Sequence, residues 1–313
     1  MSNLLNRRQA TLAVVGMAAC AANSLAAQPK RKFTMDLCPG RLGVNTGQRE
    51  TIELAAQFGF ESVEPFGASL AELSSAENAA LLDLLANKKL VWGAAGLSVE
   101  FRKEEARFQA DMQQLPALAR ALGRAGVTRV GTWLGPSHSS LTYRANFDQH
   151  ASRLGAVAKV LSDHGLSLGL EYVGPRTSWT RGRYAFIHTM AETKELLAAI
   201  GVNNVGLVLD SWHWYTAEET VEDLMSLQAS SIIAVDLNDA PKDKEVTQQI
   251  DNQRELPLAT GVIDLRAFLT ALVNLGYDGP IRAEPFNAAL NALDNAPAVE
   301  KTSAAMKKAF ALV

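Results

Sequence analysis

Residues 205–210, Val-Gly-Leu-Val-Leu-Asp, form an apolar run that ends in an acidic residue, and this pattern occurs three more times. The other runs are Leu168-Gly-Leu-Glu171, Ile232-Ile-Ala-Val-Asp236 and Ile281-Arg-Ala-Glu284. Each run predicts a short buried strand. A carboxylate after such a strand is costly to desolvate unless it pairs or binds a cation. The four endings therefore predict a ring of oxygen ligands at one rim of a barrel.

The rest of the chain continues the same alternation of strands and helices. Four earlier strands are predicted at about 32–37, 61–65, 90–95 and 128–133, and amphipathic helices separate all eight strands. Glycines fall where the helices should stop, at Gly59, Gly126, Gly165, Gly201 and Gly276. Eight β-then-α units without a composition break predict a single α/β domain with a (β/α)8 TIM barrel. An open doubly wound sheet is the alternative, but it usually has a glycine-rich phosphate turn that is missing here.

The first 27 residues have the features of a twin-arginine signal peptide. Asn6-Arg7-Arg8-Gln9 is followed by an apolar stretch of small residues and by a plausible cleavage site near Ala26. We therefore expect the Tat export machinery to carry a folded domain of residues 28–313 to the periplasm or outside the cell. The stretch is too short for a stable membrane span. Lipid attachment at Cys20 is the alternative.

Charge and cysteine content exclude some classes of protein. The chain has 30 basic and 33 acidic residues, a net charge of −3, which gives no indication of a nucleic-acid surface. Cys38 is the single cysteine after the signal segment, so that part of the chain has no internal disulfide, and we expect Cys38 to be a small buried residue.

The carboxyl ends of barrel strands form the functional rim of a TIM barrel. Glu171, Asp210, Asp236 and Glu284 all map to it and predict a site for one divalent ion. Mostly oxygen ligands favour Mn²⁺, Mg²⁺ or Co²⁺, and Zn²⁺ is also compatible. The structural alternative is that these acids cap helices or pair with loop arginines.

At this point the chain resembles the xylose isomerase-like TIM barrels of sugar isomerases and epimerases. The resemblance covers nearly all of the chain after the signal segment. It rests on these segments: Leu168-Gly-Leu-Glu-Tyr172, Val208-Leu-Asp-Ser-Trp-His213, Val235-Asp-Leu-Asn-Asp239, Arg254-Glu-Leu-Pro257, Gly261-Val-Ile-Asp264 and Gly276-Tyr-Asp-Gly-Pro-Ile-Arg-Ala-Glu-Pro285.

The resemblance implies a role for each matched residue. Glu171 and Glu284 would bind the ion and also transfer protons, and Asp210 would be a further ligand. His213 and Arg254 would contact substrate oxygens. The implied activity is isomerisation or epimerisation of an unphosphorylated sugar or keto-sugar through an enediolate.

One position departs from the family pattern. The family has a histidine on the seventh strand where this chain has Asp236, and an aspartate would bring the ligand set to −4. We expect that charge to favour harder ions and to raise the pKa values of neighbouring carboxyls. A displaced or lost metal is the alternative.

Two weaker candidates and two other functions stay open. Trp133 and Glu64 end the fourth and second predicted strands and are candidates for substrate binding, with packing and helix capping as the structural alternatives. The same chemistry would make a lyase or dehydratase of a keto-inositol or a 3-keto-glycoside. A non-catalytic carbohydrate-binding protein is the other alternative. The sequence leaves the oligomeric state open.

Overall fold

The computed structural model describes residues 30–313. The predicted signal segment lies outside the described residues, as does the lipidation alternative at Cys20. Within residues 30–313, no helix combines the length and the apolar character that crossing a bilayer requires.

Within the described residues, the main sheet consists of parallel strands that close into a barrel. Its strands are β1 (Thr34–Leu37), β2 (Ser62–Val63), β3 (Val91–Trp92), β4 (Ala95–Gly96), β5 (Arg129–Trp133), β7 (Ser167–Glu171), β9 (Val205–Asp210), β10 (Ile232–Leu237) and β11 (Pro280–Ala283). Their order is β3-β2-β1-β11-β10-β9-β7-β5-β4. β3 and β4 stand at opposite ends of that order but are only two residues apart in the chain. They are therefore two halves of one strand, which pairs with β2 and then with β5 and closes the ring.

A small antiparallel pair lies beside the barrel. It consists of β6 (Ser137–His138) and β8 (Tyr184–Ala185), and it joins the loop after β5 to the loop after β7. Because both loops leave the carboxyl ends of their strands, this pair lies over the rim where the acidic residues are predicted.

Helices follow the strands as predicted. The longer helices are α1 (Gln48–Phe58), α3 (Ser75–Asn87), α4 (Glu105–Arg124), α5 (Tyr143–Ser162), α7 (Met190–Ile200), α10 (Leu265–Leu275) and α12 (Asn295–Phe310). The shorter helices are α2 (Gly67–Glu72), α6 (Arg176–Trp179), α8 (Ser211–Thr216), α9 (Val221–Met225) and α11 (Ala288–Asn291). The five glycines predicted to stop helices all have positive φ, between 67° and 79°. The sequence-based expectation of a (β/α)8 barrel is confirmed.

The amphipathic pattern of the sequence predicts one helix at about 217–229 after the sixth strand, and the structure differs from this prediction. The structure has α8 directly after β9 and then the short α9. Asp210 starts α8 early, because its Oδ1 accepts a hydrogen bond from the backbone N–H of Trp212 at 2.8 Å. Glu218 then takes a positive φ of 55°, which ends helical geometry before α9 begins.

The barrel interior is filled by small and charged side chains. Ala94, Val208 and Ala234 form a separate apolar cluster there. Gly169 on β7 makes room for it, because a Cβ at that position would lie 2.7 Å from Cγ2 of Val208. The main core lies between the sheet and the helices, so the interior can hold polar groups beneath the rim.

Candidate active site

A cavity of about 510 Å³ opens at the carboxyl ends of the strands. Its volume lies within the range of roughly 300–1,000 Å³ that is usual for small-molecule sites. Five candidates from the sequence line it: Glu171, His213, Arg254, Glu284 and Trp133. Asp210, Asp236 and Glu64 are not part of its lining. We call Glu171, Asp210, Asp236 and Glu284 the carboxylate cluster.

Glu171 is the carboxylate with the fewest partners in the cluster. It ends β7, it is 5% exposed, and its Oε1 is buried without a hydrogen-bond partner. Burial raises the pKa of Glu171 well above its ordinary value, and the nearby charges of Asp236 and Asp210 raise it further. A proton or a cation at Oε1 would offset the energetic cost of burying this oxygen without a partner.

His213 is buried and holds a defined tautomer beside Glu171. Its Nδ1 accepts a hydrogen bond from the backbone N–H of Gly174 at 3.2 Å, which leaves the ring proton on Nε2. Nε2 lies 3.8 Å from Oε1 of Glu171. Burial lowers the pKa of His213, so the ring is neutral and presents one N–H toward the cluster.

Arg254 comes from the long loop after β10 and bridges two of the acids. Its Nη1 donates to Oδ2 of Asp210 at 2.7 Å and to Oε2 of Glu284 at 3.0 Å. Its Nη2 donates to Asp251 at 2.8 Å, and its guanidinium stacks on Phe286 at 4.8 Å. These contacts hold a buried positive charge within the carboxylate cluster. Arg254 is the residue for which the family resemblance implies contact with the substrate.

Asp236 is fully buried, and its main partner is Arg282 on the neighbouring strand. Nε of Arg282 donates to its Oδ1 at 2.5 Å, and Nη2 donates to its Oδ2 at 3.2 Å. Burial alone would raise the pKa of Asp236, but the charges of Arg282 and Arg41 outweigh burial and hold that pKa below its ordinary value. Arg282 therefore offsets the charge of Asp236, and Asp236 still raises the pKa of Glu171, as the sequence analysis expected for a fourth carboxylate.

Within residues 30–313, three arginines contact the cluster. Arg41, in the turn after β1, pairs with Glu284, and Arg254 and Arg282 make the contacts described above. Of the four acids in the cluster, Glu171 is the one that has no direct ion pair with an arginine of the described residues. The cluster is thus nearly charge-balanced by the protein itself.

The donor set nevertheless fits a divalent ion. One donor atom each from Glu171, Asp210 and His213 lie within 4.8 Å of one another, and the same holds for Glu171, Asp236 and Glu284. Glu171 belongs to both trios, and its Oε1 is the buried atom without a partner. The carboxylate oxygens suit Mn²⁺, Mg²⁺ or Co²⁺, and Zn²⁺ is also compatible.

Trp133 and Glu64 have different surroundings. Trp133 is 47% exposed at the cavity edge, and Arg102 stacks on it at 4.3 Å. Glu64, directly after β2, accepts a hydrogen bond at 3.0 Å from the thiol of Cys38, directly after β1. Cys38 is buried, as the sequence analysis expected.

The sequence analysis missed several residues of the cavity wall. Arg41, Asp251 and Phe286 all line it. Each lies in a loop that follows a predicted strand end, so their position in the chain could have indicated them. The sequence analysis also missed Arg282. A charged residue inside a strand gives no local signal that it pairs with an acid on the neighbouring strand.

Comparison with known proteins identifies the family. A model described as "Xylose isomerase-like TIM barrel" matches residues 52–309. The chain belongs to this family. Among solved structures, a xylose isomerase domain protein from Alicyclobacillus acidocaldarius is 31% identical with a TM-score of 0.78, over 90% of this chain and 99% of that one. The IOLI protein, solved with a zinc atom, shares the fold at 18% identity, with a TM-score of 0.74 over 89% and 98% of the two chains.

Curated relatives match over a shorter region. Inosose isomerase of Bacillus velezensis is 28% identical over 44% of this chain and 45% of its own length. The 3-dehydroshikimate dehydratase of Pseudomonas aeruginosa is 29% identical over 44% and 20% of the two lengths. Ketose 3-epimerase of Arthrobacter globiformis is 28% identical over 45% and 42%. The chain therefore spans less than half the length of the curated relatives it matches.

Proposed function

We propose that this protein is a divalent-metal-dependent isomerase or epimerase of an unphosphorylated sugar or keto-sugar. The observation that carries the proposal is the pair Glu171 and Glu284, two acids on strands separated by β9 and β10. Their carboxylates come within 4.8 Å in one buried cluster and line one cavity. The inosose isomerase and ketose 3-epimerase relatives support the reaction class.

The two glutamates differ in a way that suits proton transfer in two directions. Glu284 is held as a carboxylate by Arg254 and Arg41 and lines the cavity, so it can take a proton from the carbon between a carbonyl and a hydroxyl. Glu171 has a raised pKa and an oxygen without a partner, so it can carry the proton that is returned to the neighbouring carbon or to the other face. The net result moves one proton and conserves the mass of the sugar.

Two further groups support the charge that develops on the substrate oxygen. His213 presents Nε2–H, and Arg254 carries a fixed positive charge within 3.3 Å of that ring nitrogen. Buried donors aimed at a developing oxyanion stabilise it more than they would in water. A divalent ion held by Glu171, Asp210, Asp236 and Glu284 would supply Lewis acidity to the same oxygens.

Elimination is the second candidate reaction. A leaving group β to the carbonyl could depart from the same intermediate, and the 3-dehydroshikimate dehydratase relative favours this alternative. A screen of ketoses, keto-inositols and 3-keto-glycosides in deuterated water, read by mass spectrometry, separates the two reactions. Isomerisation conserves mass apart from carbon-bound deuterium, whereas elimination releases water or an aglycone.

Metal dependence has its own test. The purified protein should contain about one divalent ion, and a chelator should abolish turnover until the ion is restored. Sugar binding without either metal or turnover would contradict the proposal and favour a carbohydrate-binding protein.

We also propose export to the periplasm through the twin-arginine pathway. Arg7 and Arg8 in the N-terminal segment support it. Replacement of both by lysine should retain a tagged protein in the cytoplasm. Normal export of that double variant would overturn the proposal.

A further inference from the structure

A second cavity of about 240 Å³ adjoins the site cavity. The two cavities share Trp133, Gly135 and Ser137 as walls. The rest of its lining is formed by Asn146 and His150 of α5, His138 of β6, and Glu100, Arg102 and Lys103. We call it the distal cavity. Its volume is below the roughly 300 Å³ of a usual independent ligand site, so its contact with the site cavity decides how it can be used.

Two residues that line the distal cavity each carry a buried polar atom without a partner. Oδ1 of Asn146 and Nε2 of His150 are buried without a hydrogen-bond partner, and the two residues are 2% and 3% exposed. Nδ1 of His150 lies 2.8 Å from the backbone carbonyl of Asn146, so Nδ1 carries the ring proton and Nε2 is an acceptor. Two buried acceptors without donors are costly unless a ligand or water supplies hydrogen atoms.

The buried part of the cavity wall is neutral, although the exposed Lys103 also belongs to the lining. Burial lowers the pKa of His150 to about 4, so the ring is neutral. Arg102 is paired with Glu100, and its guanidinium stacks on Trp133. The two unpartnered acceptors would repel a phosphate or a carboxylate, whereas they bind hydroxyl hydrogens. A neutral polyhydroxylated group supplies the hydrogens that both acceptors lack.

We propose that the distal cavity is a binding subsite for a second sugar ring attached to the reacting sugar. The inference rests on the proposed function, because the reacting ring is assigned to the site cavity. Trp133 would stand between the two rings, held in place by Arg102, whose Nη1 donates to the Trp133 carbonyl at 2.6 Å. The preferred substrate is then a disaccharide or another glycoside with a free keto group, and a monosaccharide leaves the distal cavity unfilled.

Affinity for matched sugars tests the subsite. The probes are D-fructose and the glucosyl-fructoses turanose, maltulose, leucrose and isomaltulose, which carry glucose on different hydroxyls. Isothermal titration calorimetry on the purified, metal-loaded protein should show at least one disaccharide binding about tenfold or more tightly than D-fructose. Asn146→Leu and His150→Phe should each remove that advantage and leave the affinity for D-fructose unchanged.

Asn78→Leu is the matched control. Asn78 is also a buried helical asparagine whose Oδ1 has no partner, but it lines neither cavity. It should keep the disaccharide advantage, and circular dichroism should show that all three variants are folded.

Three results would overturn the subsite. They are equal affinities for all five sugars, a disaccharide advantage that survives in both cavity variants, and absence of binding by every probe. The first result would leave a cavity that holds only solvent, and turnover of monosaccharides would still support the isomerase. Disaccharide selectivity without any deuterium exchange would instead support the subsite and count against the isomerase.

Discussion

The carboxylate cluster and the distal cavity are both buried and polar, but they satisfy their polar groups in opposite ways. The cluster holds four acids with three arginines, and most of its oxygens have charged partners. The distal cavity leaves two neutral acceptors, on Asn146 and His150, without partners. Charge is therefore concentrated where a proton must move, and neutral acceptors remain where a hydroxyl-rich group would be recognised. Ion pairs hold the acids of the first region, whereas the recognition proposed for the second rests on neutral acceptors.

Breaking the deepest ion pair should have the largest effect. Asp236→Ala leaves the Arg282 guanidinium buried and unpaired, which should cost about 3–5 kcal/mol in the free energy of unfolding. Chemical denaturation in the presence of a chelator measures this cost without a contribution from metal. Adding Arg282→Met to the alanine variant should restore much of the loss.

Asp264→Ala is the matched control for that prediction. Asp264 caps α10 by accepting from the backbone N–H of Ala267 at 2.9 Å, so its loss should cost about 1 kcal/mol. An Asp236→Ala variant no less stable than Asp264→Ala would show that the pair with Arg282 contributes little. The metal content of Asp236→Ala then tests whether this acid is also a ligand.

His150 of the distal cavity should make the free energy of unfolding depend on pH. The folded-state pKa of His150 is about 4, below the ordinary 6.5, because burial and the charges of Arg102 and Arg153 disfavour the imidazolium. The unfolded chain therefore binds a proton first as the pH falls, so stability is lost between about 6.5 and 4. A difference of about 2.5 pKa units corresponds to roughly 3 kcal/mol at the lower pH.

His150→Phe should remove this loss. Denaturation curves of the wild type and the variant at pH 7.5 and at about pH 4.5 give the difference, because all other titrating groups are shared. Lowering the pH should therefore reduce the free energy of unfolding of the wild type more than that of the variant. Parallel pH profiles for the two proteins would mean that His150 is protonated in the folded state.

Substitution of either glutamate of the cluster should affect turnover more than stability. Glu171→Gln or Glu284→Gln keeps the shape of the side chain but removes proton transfer, so turnover should fall on the order of 10²-fold, or about 2.7 kcal/mol in the barrier. Glu77→Gln, in the surface cap of α3, should leave turnover unchanged. Full turnover of Glu284→Gln would remove that residue from the mechanism.

Particular residues show how far sequence patterns reach. The strand ends at Glu171, Asp210 and Glu284 could be predicted because each acidic residue closes a short apolar run. Asp236 was found by the same pattern, but its interpretation as a rim ligand did not include Arg282, whose side chain meets it only across the strand pairing. The helix after β9 was misplaced because the capping contact of Asp210 competes with the local helical pattern.

The sequence by itself determined the barrel, the strands, most helices and the rim that carries the acids. These depend on periodicity and on turn residues, which act over a few positions. Only the tertiary structure decided which arginine meets which acid, and that Asn146 and His150 keep unpartnered acceptors beside Trp133. The physical reason is that closing the barrel brings together side chains from distant parts of the chain, where burial makes each unpaired charge or acceptor costly.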